Sequence, residues 1–135
     1  MSGDRCQEKV NVTVNSYRDL RIWQKAMDLV VASYEVAKQF PQSELYGLVS
    51  QIQRAAVSIP ANIAEGHGRE HLGDYLHHLS MANGSLMELE THFLLAGRLG
   101  YLNVEPMNQL LDHTAEVGRM LAGLIRSLKN PRPGS

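Results

Sequence analysis

Histidine and carboxylate pairs are the first places to look for chemistry in this chain. Asp74 and His77 stand three residues apart, and Glu88, Glu90 and His92 follow at two-residue steps. A two-metal carboxylate bundle needs a Glu from each of two helices and a Glu-x-x-His from each of the other two. Asp74-x-x-His77 is one such element, and the Glu88 group has the wrong spacing. His77 and His78 are adjacent, so on a helix they point about 100° apart and cannot chelate one ion. Gly66-His67-Gly68 has no preceding strand, which a dinucleotide-binding turn requires. Ser58, Ser80 and Ser85 are not set with a histidine and a carboxylate in a nucleophile motif. The expectation is a non-enzymatic protein, with no catalytic residues, no metal and no cofactor.

Charged residues offer binding rather than catalysis. Arg54 stands one step off an apolar stripe. Glu65 follows it by about three helical turns on nearly the same face. Glu88 and Glu90 are further candidate partners, and Arg54 is expected to form a structural ion pair with one of the three. Arg119, Arg126, Lys129 and Arg132 follow Glu116 with no acid among them. They can complement the carboxyl-terminal dipole of a helix, or they can contact phosphates. Net charge is −1 with six histidines, which argues against a strongly basic nucleic-acid domain. Nucleic-acid binding is therefore expected to be weak.

A length of 135 residues and an apolar content of 44% describe one globular domain with a sizeable core. Cys6 is the single cysteine, so no intramolecular disulfide can form. The leader MSGDRCQEKVNVTVNSY lacks the apolar centre and cleavage site of a signal peptide. No apolar run approaches the ~20 residues of a membrane span. A cytoplasmic location is expected, with no membrane partner.

The elements that position these residues are helices. Residues 1–15 are expected to form a flexible arm, residues 16–129 the bundle, and residues 130–135 a disordered tail. Leu20, Trp23, Met27, Val30, Tyr34 and Ala37 step by three and four, which predicts one face of a first helix with Ser16 as its cap. Ser43 is expected to cap a second helix with the stripe Leu45, Leu48, Val49, Ile52, Ala56, Ile59 and Ile63. Pro60 lies inside it. The apolar spacing continues past the proline, so a kinked rather than a terminated helix is predicted. Asn62 is expected to bond the carbonyls that Pro60 leaves free, and Gly66 and Gly68 to supply positive φ at the helix end.

The third stripe is the most regular: Tyr75, Leu79, Ala82, Leu86, Leu89, Phe93 and Ala96. At about 28 residues this helix would run about 42 Å. Gly84 in its middle predicts close approach of another helix, and Gly100-Tyr101 closes it. Asn103 or Glu105 starts a fourth helix, with Pro106 in its first turn. Its stripe is Met107, Leu110, Thr114, Val117, Leu121, Leu124 and Leu128, and a second stripe runs through Leu111, Ala115, Gly118, Ala122 and Ile125. Four helices with short connections predict an all-α fold, an up-and-down antiparallel four-helix bundle. The surplus apolar surface predicts self-association.

The segments DLRIWQKAMDLV, GLVSQIQRAAVSIPANIAEGHGR, MANGSLMELETHFLLAGRLGYL and MLAGLIRSLK span residues 17–129. With them the chain resembles the 23S rRNA intervening-sequence family, also called the four-helix bundle protein family. The resemblance implies an up-and-down bundle that assembles as a ring of five. It also implies kinship with the accessory protein of diversity-generating retroelements, which binds a reverse transcriptase and nucleic acid through a basic exterior. The sequence departs from those relatives in its slightly acidic balance, in Gln53 before Arg54, and in His71 at the start of the third helix. The function expected is a homo-oligomeric scaffold, a homopentamer that binds an as yet unidentified protein partner. The alternative is a nucleic-acid-binding accessory ring.

Overall fold

A computed structural model describes residues 16–131. The expected arm and the end of the expected tail lie outside these residues. Four helices follow one another: α1 (Arg21–Ala37), α2 (Leu48–His67), α3 (Leu72–Arg98) and α4 (Val104–Lys129). Among the described residues there is no strand. Each helix packs on its chain neighbours and α1 packs on α4, while α1 and α3 do not touch, nor do α2 and α4. The helices therefore occupy the corners of a square in chain order, as an all-α four-helix bundle.

The core follows the predicted stripes in three helices. Ile52, Ala56, Ile59 and Ile63 of α2, and Leu79, Ala82, Leu86, Leu89, Phe93 and Ala96 of α3, have no exposed surface. Val117 and Leu121 of α4 join them. The first helix is turned from its predicted phase. Its buried face is Ile22, Ala26, Leu29, Ser33 and Val36. Met27 and Tyr34 are each 39% exposed. Two apolar stripes adjoin on α1, and spacing alone does not choose between them. Ser33 can be buried because its hydroxyl donates to the Leu29 carbonyl at 2.7 Å, the usual local solution for a serine inside a helix.

The ends differ from expectation in instructive ways. Ser16 caps a short 3₁₀ turn (Tyr17–Asp19) rather than α1. The start of α2 is capped by Glu44, not Ser43. Its Oε1 accepts the Leu48 N–H at 3.1 Å. Its Oε2 accepts the Tyr101 hydroxyl at 2.9 Å. One carboxylate thus ties the α1–α2 connection to the α3–α4 connection. Asn103 begins α4 without a side-chain cap, and His71 does the same for α3.

Glycine acts at two positions in different ways. Gly100 has φ +80°, and the Tyr101 N–H reaches the Ala96 carbonyl at 3.0 Å, closing α3 in a Schellman turn. Gly66 does not use positive φ. It is buried in the α2–α3 seam, where an added Cβ would sit 2.7 Å from the His78 Cβ. Its role is close approach, the role expected of Gly84. Gly84 itself faces open space. The α2 helix runs through Pro60; the structure shows this continuity and does not show a kink. Asn62 bonds the Ser58 carbonyl at 2.9 Å, not the Ala56 carbonyl that proline leaves without its usual partner.

Candidate interaction surfaces

The Arg54 group is not brought together. Arg54 is exposed, and among the described residues each proposed partner contacts another side chain. Glu65 accepts from Arg69 Nη2 at 2.9 Å. Glu88 lies 3.5 Å from His92 Nε2, at a geometry that leaves this buried nitrogen without a hydrogen bond. Glu90 accepts from the Thr114 hydroxyl at 3.2 Å. Two of the three are pairs four residues apart on one helix, which need little side-chain ordering. A cross-helix pair from Arg54 would have to displace them.

The polar centre of the fold is instead the α2–α3 seam. Ser58 and Ser85 hydrogen-bond each other through their hydroxyls. Asn62 reaches the Ser58 carbonyl with its amide nitrogen and His78 Nδ1 with its oxygen, the latter at 3.2 Å. The chain Ser85–Ser58–Asn62–His78 crosses the interface twice, once at each end. His78 bonds an amide, not a serine, so no hydroxyl there has an adjacent base. This cluster positions helices. Among the described residues no group of three or more His, Cys, Asp or Glu side chains could hold a metal ion.

The basic residues do share a region. Arg119 and Arg126 are exposed on α4, as is Lys129; Arg132 lies outside the described residues. Glu116, the acid that precedes them, lies 3.4 Å from Lys25 of α1. Further along, Glu35 and Gln39 share a groove with Pro106 and Gln109, so α1 runs antiparallel to α4, and exposed Arg18 and Arg21 come to the same end of the bundle as Arg126 and Lys129. A groove of about 340 Å³ runs between Asn83 and the Ala122–Asn130 segment there.

Apolar surface is concentrated elsewhere. On α1, Val31 is 59% exposed between Met27 and Tyr34. On α3, Met87 and Leu94 are 47% and 46% exposed. On α4, only Val104 among the large apolar side chains is exposed, at the first turn. Tyr34, Lys38, Leu45, Val49 and Gln53 line a groove of about 400 Å³ between α1 and α2. Sequence reasoning missed this face because it assigned Met27 and Tyr34 to the core. The signal was there, in the neighbouring stripe of Ile22, Ala26 and Leu29. Tyr75 and Tyr101 are the phenols displaced from their ordinary behaviour. Burial raises Tyr75, and the hydrogen bond to Glu44 raises Tyr101.

The family model of the 23S rRNA-intervening sequence protein matches residues 18–123. The chain belongs to that family. The match covers all of α1, α2 and α3 and most of α4. A solved structure from Bacteroides thetaiotaomicron, a protein of unknown function from the S23 ribosomal protein family, superposes with a TM-score of 0.72 at 23% identity. The match covers 77% of this chain and 97% of that one. At that identity the likeness speaks for the fold of this 23S rRNA-intervening sequence family member, not for an activity. No curated protein matches the chain. Among the described residues no helix is long and apolar enough to cross a membrane.

Proposed function

We propose that this protein is a non-enzymatic, homo-oligomeric scaffold of the cytoplasm, a ring of five copies that presents a surface to another protein. The observation that carries the reading is apolar surface outside a core that closes without it. Met27, Val31 and Tyr34 on α1, with Met87 and Leu94 on α3, stay exposed while the inner faces of all four helices are buried. Apolar side chains left exposed along a helix face favour association. Light scattering coupled to size exclusion tests it. A multiple of the chain mass that persists at micromolar concentration is expected, and a monomer would sink the proposal.

One observation favours a second reading, an accessory ring that binds nucleic acid. Arg119, Arg126 and Lys129 are exposed together, and Arg18 and Arg21 share their end of the bundle. Phosphate contacts accumulate across copies, so a patch too weak alone gains strength in a ring. For a single strand, the logarithm of affinity should fall with that of salt with a slope near −0.7 per neutralised phosphate. A mobility-shift titration with structured RNA decides. Weak binding at low salt, lost at physiological salt, supports this reading. No shift with tens of micromolar protein removes it and leaves the protein scaffold.

A further inference from the structure

We infer that the chain's own leading segment covers the exposed face of α1. Val10, Val12 and Val14 lie along Met27, Val31 and Tyr34 of the same chain, as a strap that a partner must displace. Displacement rests on the association proposed above; the strap itself does not.

The segment precedes the described residues, and the first of those already take its course. Tyr17 meets Trp23 edge to face, with ring centroids 5.3 Å apart. The Gln24 side-chain amide donates to the Arg18 carbonyl at 2.9 Å. Trp23, Met27 and Tyr34 follow one another by four and seven residues, so they share one side of α1. Tyr17 therefore sits at the foot of the same stripe. The turn Tyr17–Asp19 packs on both α1 and α2, which brings the incoming chain to the α1–α2 side. Ser16 is extended, with φ −143° and ψ 150°.

Pattern and reach fit the stripe. Val10, Val12 and Val14 alternate with Asn11, Thr13 and Asn15, so extended backbone turns the valines to one side and the polar residues to the other. At about 3.3 Å per residue, Val14, Val12 and Val10 stand about 7, 13 and 20 Å from Ser16. Met27, Val31 and Tyr34 stand about 9, 15 and 20 Å from the start of α1, at 1.5 Å per residue. Glu35 and Lys38 on this face pair with each other at 3.3 Å. An occupant needs no charge there, and residues 10–15 carry none. Past Tyr34 the strap meets the α1–α2 groove, whose lining includes Leu45 and Val49. Other exposed apolar side chains are less well placed. Met81, Met87 and Leu94 belong to α3, the helix that α1 does not touch. Leu99 and Val104 flank the α3–α4 connection, at the end of the bundle away from Ser16.

Cys6 is the chain's single cysteine and takes a nitroxide spin label, whose relaxation effect is read on backbone amides by NMR. A strap carries the label to the end where α1 stops. Amides of residues 34–49 should broaden, and those of residues 18–24 should stay sharp. A loose arm gives the opposite pattern and overturns the inference. Val12→Asp leaves the bundle core untouched and should abolish the far-end broadening; its persistence would also overturn it. Spin-labelled chains mixed with isotope-labelled Cys6→Ser chains test whose face is covered. Broadening in that mixture alone would place the segment on a neighbour and sink the strap. Deletion of residues 1–15 should lower several-fold the concentration at which the protein dissociates. If the far-end broadening is found and deletion leaves association unchanged, the strap stands and α1 drops out of the association proposed above.

Discussion

The α2–α3 seam and the α1–α4 seam solve the same problem with opposite means. Between α2 and α3 the helices approach until Gly66 has no room for a Cβ, and the polar groups of Ser58, Asn62, His78 and Ser85 satisfy one another. Between α1 and α4 the visible link is Lys25 to Glu116, with side chains 30% and 41% exposed. One groove opens at that link and a second further along the seam, toward the start of α4. A buried polar network is costly when one member is lost, whereas a solvated ion pair contributes little. The register of this bundle should therefore reside in the α2–α3 pair, with α1 and α4 held chiefly by their apolar faces.

Substitutions can break that contrast. The largest effect is expected from Gly66→Ala. The added methyl would meet the His78 Cβ at 2.7 Å and Tyr75 Cδ1 at 3.0 Å. Overpacking of this kind costs about 1–3 kcal/mol, partly offset by the better helix propensity of alanine. A net loss of about 2 kcal/mol in urea denaturation is the expected result. A gain would mean that the seam can open without loss.

Asn62→Ala comes next, at about 1–2 kcal/mol, because the truncation leaves His78 Nδ1 and Ser58 without the amide. If the denaturation midpoint does not move, the network is not what holds the pair. Gly84→Ala runs the other way. Nothing lies within 4 Å of the added methyl, so the variant should be more stable by about 1 kcal/mol. Paired with Gly66→Ala on the facing helix, it separates a glycine kept for space from one that is not. The smallest effect belongs to the other seam. Lys25→Ala should cost well under about 1 kcal/mol, and a double-mutant cycle with Glu116→Ala should return a coupling of a few tenths. A coupling as large as the Asn62 effect would erase the difference between the seams.

The sequence announced the helices through their periodicity but not always their phase. On α3 a single unbroken stripe, Tyr75 to Ala96, left one solution, and the structure adopts it. On α1 two apolar stripes adjoin, and the one with Trp23, Met27 and Tyr34 became the flank. Period reveals that a helix has a face; it takes the neighbours to say which of two faces turns inward. The glycines show a similar ambiguity. Gly66 and Gly84 look alike in sequence, yet only the first meets another helix, because the need for a missing Cβ is a property of the partner. The sequence sets Arg54 against Glu65, three turns along its own helix, and against Glu88 and Glu90 on the next. Glu65 and Glu88 found partners four residues off, where the entropy of pairing is smallest. The Glu44 cap was hidden for a related reason. Its second oxygen is satisfied by a residue 57 positions along the chain, and no local pattern announces that.

The same 57-residue separation has a kinetic meaning. Helices α2 and α3 can fold back on the short connection at residues 68–71 as an early and local event. The Glu44–Tyr101 bond can form only when that pair has closed along its whole length, because the two residues flank its open end. It is a late latch, and late contacts act on the rate of coming apart more than on the rate of coming together. Tyr101→Phe should therefore speed unfolding while leaving refolding almost unchanged, as read from the two arms of a chevron plot. The latch also has a pH at which it lets go. The phenol is held protonated in the folded chain and its pKa lies above the ordinary 10.0. Its help is whole below that value and fades as alkali carries the pH through the folded-state pKa. In alkali, wild type and Tyr101→Phe should unfold at converging speeds.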